Sequence, residues 1–491
     1  MVPSSRFKPI DRISILFILL CTILLSGLIV GEQVCGENCW LKAKAKVETF
    51  SWQGEKVSAD DRAFILRFSR PMNRESIENN LKIEPELPGK ISWSGKRMAY
   101  TLEQPAPYGT EYELTINGGK ERLGSEIKPF QAGFETRDRA FIYLGIQGEE
   151  KGRLILYNLT QQEKTILTPS HLLVNEFISY PQRDRVLFSA TLGVEKNQLD
   201  LNLYTVTTGI NQTETPPGKI EQVLDNETYQ LLEFELSPDG KKIVVRRGKK
   251  DDLTTTSLWV ITEDNPPELL ENTQGGEFII PPDSESVAIA QGQGIALIPL
   301  TDQANPSNFL PQYGQVLTFS PDGRAAVMVN FNTQNPEKQY IRSLYMVTNQ
   351  GVEKNLLETK GSILQCEFSP TASDLYCLLT ELIEGEQYRE QPYLVSINLE
   401  NSEIIPLLTL PESQDIEMSL SPDGLALLFD QAMTVETTDQ SNFTLRNNSG
   451  DAIINSRLWL LVPTPTLTEN PNQQPALEEL PISGLTPLWL P

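Results

Sequence analysis

The segment EFELSPDGKKIVV, residues 233–245, decides the fold. An apolar strand runs into Ser237-Pro238-Asp239-Gly240 and a second apolar strand leaves it. Pro presets φ at the first turn position, Asp hydrogen-bonds backbone two residues on, and Gly takes left-handed backbone without a Cβ clash, so the segment reads as a β-hairpin. The same unit recurs as EFISYPQRDRVLF (176–188), FIIPPDSESVAI (278–289), LTFSPDGRAAVMV (317–329), CEFSPTASDLYCLL (366–379) and MSLSPDGLALLFD (418–430). Its prolines, Pro181, Pro238, Pro282, Pro321, Pro370 and Pro422, stand 39 to 57 residues apart. That is the period of a propeller blade, about 40–50 residues with insertions. The aspartates of these turns are read as turn formers and not as a carboxylate cluster.

A further apolar strand follows each hairpin, from RLILYNL (153–159) through TSLWVI (256–261) to SRLWLLV (456–462), seven in all against six turns. One inner strand is missing at the start. The stretch GLTPLWLP (484–491) supplies it, ending on Pro491 where the repeat's first strand ends. Blade one then joins this stretch to AFIYLGI (140–146), RLILYNL and KTILT (164–168). The expected fold is all-β, with a seven-bladed propeller over residues 139–491 closed by the C-terminal strand, because an open ring leaves unpaired blade edges. The FSPDG-type hairpins resemble those of the TolB and WD-like β-propeller group. The resemblance implies the fold; that group includes binding proteins, protease gates and a few lyases, so it implies no single function.

Residues 47–137 carry short alternating runs such as AFILRFS (63–69), KISWS (90–94) and YELTI (112–116), separated by turns, and read as an antiparallel sandwich. The ordered strings FSRPMN (68–73), IEPELPGKISWSGKRMAYTLEQP (83–105), YGTEYELTI (108–116) and FET (134–136) resemble the bacterial Ig-like domain first described in S-layer proteins. That resemblance implies a spacer or interaction module. Trp52 and Trp93 are expected in the core or at the rim of the sandwich.

Ile13 to Val30 form an uncharged apolar run of 18, with Arg6, Lys8 and Arg12 before it and Glu32 and Glu37 after. A helix needs about 20 apolar residues to cross a bilayer, and basic residues stay on the cytoplasmic side. Residues 1–31 are therefore expected to be a cytoplasmic tail and single-pass anchor in the inner membrane, with 32–46 a linker and the bulk periplasmic. A cleaved signal peptide is the alternative, disfavoured by the exit Ile29-Val30-Gly31. Cys35 and Cys39 stand close enough in sequence for a disulfide or a pair of thiols. Cys366 and Cys377 fall directly opposite in the hairpin register, placed either to bridge or to fill core positions as thiols.

Lys and Arg number 41 against 65 Asp and Glu, a net charge of −24, which argues against nucleic acid as a partner. The single histidine, His171, cannot supply a Ser-His-Asp triad and a histidine metal set together, and no cofactor is expected. Long polar loops (190–199, 246–255, 330–341, 380–391, 431–455) all join the second to the third strand of a blade, which places them on one face. Phe331, Tyr388, Arg389 and Phe443 are the candidate ligand-binding residues there, as aromatic and Arg anchors dominate binding energetics. The expected function is a non-enzymatic envelope scaffold that binds a protein or a glycan. The alternative is a glycan-active enzyme using acidic residues only, which requires a carboxyl of strongly raised pKa in a cleft.

Overall fold

The computed structural model describes residues 14, 16–23, 26, 44–193, 200–210, 215–262, 265–271, 273, 276–292, 294–300, 308–383, 385, 389–411, 415–435, 445–446, 451–463 and 475–491. The chain is all-β and divides into two compact units. The first is built on residues up to Lys56 with Arg62–Glu103 and Glu111–Glu135; Val57–Asp61, Gln104–Thr110 and Thr136–Pro491 make the second.

The first unit holds two four-stranded antiparallel sheets. One runs Val47–Phe50, Ala63–Phe68, Arg97–Leu102, Gly89–Ser94, and the other runs Lys56–Val57, Phe130–Thr136, Glu111–Ile116, Leu81–Glu84. Alternation sends Tyr112, Leu114 and Ile116 inward and Glu111 and Glu113 outward. Trp52 packs its ring 5.1 Å from Phe134 and 5.3 Å from Phe64, in the core. Trp93 stacks 5.6 Å from Phe68 while its Nε1 donates to Glu78 Oε1 at 2.7 Å, at the rim.

Among the described residues the second unit holds seven four-stranded antiparallel sheets. Six are built from four consecutive strands, as in Tyr229–Leu236, Lys242–Lys249, Asp252–Thr262, Asn265–Leu269. The remaining sheet runs Glu163–Ile166, Leu154–Asn158, Ala140–Gly145, Gly484–Trp489, so its last member comes from the far end of the sequence. There Gly484 faces Gly145, Leu485 faces Leu144 and Trp489 faces Phe141. Second strands such as Arg185–Leu192 are buried on both faces, because each sheet is covered by the next. Apolar cores accordingly lie between successive sheets: Leu187, Leu203, Phe234 and Val245 join the second and third, and Phe141, Trp489, Leu428 and Leu458 join the seventh and first.

The repeat's turn has one conformation whether or not it carries glycine. Gly240, Gly323 and Gly424 have φ of +72°, +68° and +74°, and Arg183, Ser284 and Ala372 occupy the equivalent position at +62°, +58° and +54°. In the SPDG turns the Ser237 hydroxyl donates to Asp239 Oδ1 at 2.6 Å, which accepts Lys241 N–H at 3.1 Å. Cys366 and Cys377 are Cα partners and form a disulfide with Sγ atoms 2.04 Å apart. Cys35 and Cys39 lie outside the described residues.

The expected single-pass anchor is corrected: among the described residues no helix is long and apolar enough to cross a membrane. Of the run at 13–30, residues 14, 16–23 and 26 are described, and they are helical.

Candidate functional site

The loop after strand Ala325–Asn330 and the connections Gln312–Gly314 and Gly292 surround a hollow of about 210 Å³. Phe331 forms one wall, 38% exposed, and the Cδ2–Cε2 edge of its ring closes on Gly314. A Cβ at position 314 would sit 2.4 Å from Phe331 Cδ2, so this approach requires glycine. Asn332, at φ +54°, braces the loop: its backbone N–H donates to Asn330 Oδ1 at 2.7 Å and its Nδ2 donates to Ile341 O at 2.8 Å and Ser343 Oγ at 2.9 Å. Asn335 Oδ1 accepts Glu337 N–H at 3.0 Å. The other lining side chains are amides and a hydroxyl, from Gln312 to Thr333, and none of the described lining residues is charged. Gln312 is held by its Nε2 donating to Glu353 Oε1 at 2.9 Å.

Of the four sequence candidates, Phe331 is in this hollow. Arg389 opens strand Arg389–Asn398, exposed and opposite Ile383, and does not line it. Tyr388 and Phe443 lie outside the described residues. His171 is exposed on its loop. Among the described residues no group of three or more His, Cys, Asp and Glu is placed to hold a metal ion.

A second constellation escaped the sequence reading. Glu176, Glu233, Glu277 and Glu417 each stand five residues before a turn proline, and Gln365 occupies that place in its own repeat. Inner strands expose one unpaired edge, and side chains of this series cap it on the neighbouring sheet. Gln365 donates from Nε2 to Met418 O at 2.8 Å and accepts Met418 N–H at 3.0 Å; Glu367 Oε2 accepts Leu420 N–H at 3.1 Å. Asp430 accepts Glu417 N–H and Thr486 N–H, both at 2.8 Å.

The glutamates also feel one another. Burial, then the charges of Glu233 and Glu417, push the Glu176 carboxyl up to about 7, although water still reaches it. Burial and the charges of Glu176 and Glu233 push Glu235 up to about 8. Burial lifts Glu367 and Asp430 each to about 7. Glu233 is offset by Arg246, whose Nε donates to its Oε2 at 3.1 Å. The second, third, sixth and seventh sheets thus bring their inner strands toward one acidic centre.

No protein-family model matches the chain, and no curated protein does. Similar solved structures include TolB of Acinetobacter baumannii, 11% identical with a TM-score of 0.40, covering 84% of this chain and 83% of that one. An oligogalacturonate lyase in complex with manganese is 14% identical with a TM-score of 0.43, over 79% of this chain and 95% of its own. The acylaminoacyl peptidase of Pyrococcus horikoshii is 12% identical with a TM-score of 0.39, over 71% and 49%. The structural class is an all-β protein with TolB-like propellers among its neighbours. The expectation of a chain without catalytic activity is corrected, since enzymes stand among the similar structures. At these identities the likeness concerns the fold and transfers no reaction.

Proposed function

We propose that the second unit is a binding propeller whose long-loop face takes a protein or glycan partner, with a neutral glycan as the ligand of the Phe331 hollow. The hollow's chemistry carries this reading. A sugar ring has an apolar C–H face that suits the electron-rich face of an aromatic ring, and hydroxyls that both donate and accept, as amides do. Gln312, Asn330, Asn332 and Thr333 around Phe331 offer that combination without a charge that would demand a charged partner. The seven sheets are read as the blades of one ring closed by strand Gly484–Trp489, a reading supported by the apolar core between the seventh and first sheets. The first unit is read as an Ig-like domain, supported by its two four-stranded sheets and aromatic core.

The test is a panel of neutral oligosaccharides presented to the full-length protein. A ligand should be retained, and Phe331→Ala should weaken it by at least about tenfold, the loss of one central aromatic anchor. Retention of no glycan, or equal binding by the variant, sinks the glycan reading.

The acidic centre supports a second reading, a glycan-active enzyme using carboxylates alone. Glycoside cleavage needs one carboxylic acid kept protonated near neutral pH beside an ionised one, and the lifted Glu235 and Glu176 provide the first of these conditions. Turnover of an oligosaccharide abolished by Glu235→Gln would establish it, and the absence of turnover across the panel would remove it.

A further inference from the structure

Three arginines are buried in the second unit: Arg183, Arg246 and Arg247, at 2%, 9% and 8% exposure. Two have protein acceptors, Asp138 O for Arg183 at 3.0 Å and Glu233 Oε2 for Arg246 at 3.1 Å. Arg247 has no hydrogen-bond acceptor and no ion pair among the described residues, and its Nε is sealed from water.

What holds it is aromatic. Arg247 pairs with Leu231 on one side and Ser257 on the other, so Tyr229 and Trp259 are its diagonal neighbours on the same face of the sheet. The guanidinium carbon lies 4.5 Å from the Tyr229 ring centroid and 4.1 Å from that of Trp259. The two rings meet edge to face, centroids 5.5 Å apart, and the guanidinium sits in their angle. Cation–π contact of this kind does not replace the hydrogen bonds that a desolvated guanidinium gives up. Trp259 adds a second unanswered donor, since its Nε1 is also buried without a partner among the described residues.

Asp225 Oδ1 accepts Glu227 N–H at 3.1 Å. Asp225 influences the guanidinium by charge but makes no ion pair with it. The place is near the end of strand Lys242–Lys249, where the chain turns through Lys250 and Asp251 into strand Asp252–Thr262, so the long loop expected over 246–255 is a short hairpin turn. Arg is the side chain that two oxygens of one anion can engage at once, and fixing its plane against rings leaves less entropy to lose on binding.

We propose that Arg247, set in the angle of Tyr229 and Trp259, is the anchor of an oxyanion site that takes a ligand group presenting two oxygens of one negative charge, a carboxylate or a phosphoryl group. This site is separate from the Phe331 hollow and does not depend on the glycan reading.

The test titrates full-length protein with acetate and with inorganic phosphate at constant ionic strength, chloride serving as the reference anion. The readout is the arginine Nε–H resonance that disappears in Arg247→Lys, together with the melting temperature. A saturable shift of that resonance with acetate or phosphate, and a saturable rise in melting temperature lost in Arg247→Met and at least about tenfold weaker in Arg247→Lys, is the expected result. A response to acetate alone assigns a carboxylate ligand, and one to phosphate alone a phosphoryl ligand. If Arg247→Met does not fold, Trp259→Phe, which keeps a ring and loses the second donor, must weaken the same titration. Saturation equal in the variants, or only the unsaturating response that chloride gives, which is an adventitious ion only, overturns the proposal.

Discussion

Replacing Trp489 by Ala strikes the strand that joins the two ends of the second unit. Trp489 is 5% exposed, its ring lies 5.5 Å from Phe141, and it packs with Leu428, Leu458 and Leu480 of the adjacent sheet. Removing a buried Trp of this kind costs about 3–5 kcal/mol, the transfer loss plus the cavity left behind. Truncation before Gly484 removes Leu485 and Leu490 as well, 8% and 1% exposed. Three buried apolar side chains at about 1.5–3 kcal/mol each give about 5–9 kcal/mol. A whole domain is stable by only about 5–15 kcal/mol, so the truncated chain should lose a folded second unit, whereas Trp489→Ala should keep a weakened one. Urea unfolding followed by far-UV circular dichroism measures this, with limited proteolysis reporting which unit opens. Val352→Ala, at a position 59% exposed in the same unit, is the control and should stay within about 0.5 kcal/mol of wild type. A Trp489→Ala midpoint indistinguishable from that control would refute the assignment of strand Gly484–Trp489 to the core.

Stability should also fall as pH rises from about 5 to 8, because Glu367 and Asp430, each lifted to about 7, hold protons in the folded state that the unfolded chain releases near pH 4. Their contribution is full below pH 4 and is lost as pH climbs through 7; melts across that range should show a shallower slope for Glu367→Gln. Reducing the Cys366–Cys377 bond, which closes a loop of separation 11, should cost about 3 kcal/mol in the chain-entropy account, read from paired denaturation curves with and without reductant. Asp423→Ala should cost about 2–3 kcal/mol against less than about 1 kcal/mol for Asp322→Ala, because a charged hydrogen bond inside the protein is worth more than a turn at the surface. Equal midpoints for those two variants would sink the distinction.

That contrast shows where sequence reading stops. The Ser-Pro-Asp-Gly hairpins are local, so their strands, their left-handed turn position and the facing of Cys366 and Cys377 can be read from spacing alone. Asp423 looks like Asp322 in the sequence, but its Oδ2 accepts the N–H of Tyr108, 315 residues away, and lies 3.8 Å from Arg139. No local pattern reports such a partner. Loop length pointed to Phe331, whereas Gly314, which leaves room for the edge of its ring, belongs to the preceding connection. The glutamates five before each turn proline formed a visible series, yet adjacent inner strands reveal what they cap only once the sheets are stacked. Arg247 had no signal at all, since its setting depends on two diagonal pairings across three strands. The apolar run at 13–30 met the composition of an anchor, but the described residues hold no helix of the required length.

The pairing of Ala140–Gly145 with Gly484–Trp489 bears on how the protein is made. A ribosome delivers the first of these strands about 340 residues before its partner, at about 5–20 residues per second. For tens of seconds, then, a six-residue strand that is buried along its whole length in the finished molecule has a bare hydrogen-bonding edge. During that interval any neighbouring nascent chain can compete for the place that only residues 484–489 should fill. Expression yield in crowded translation, more than final stability, is where this topology exacts its cost.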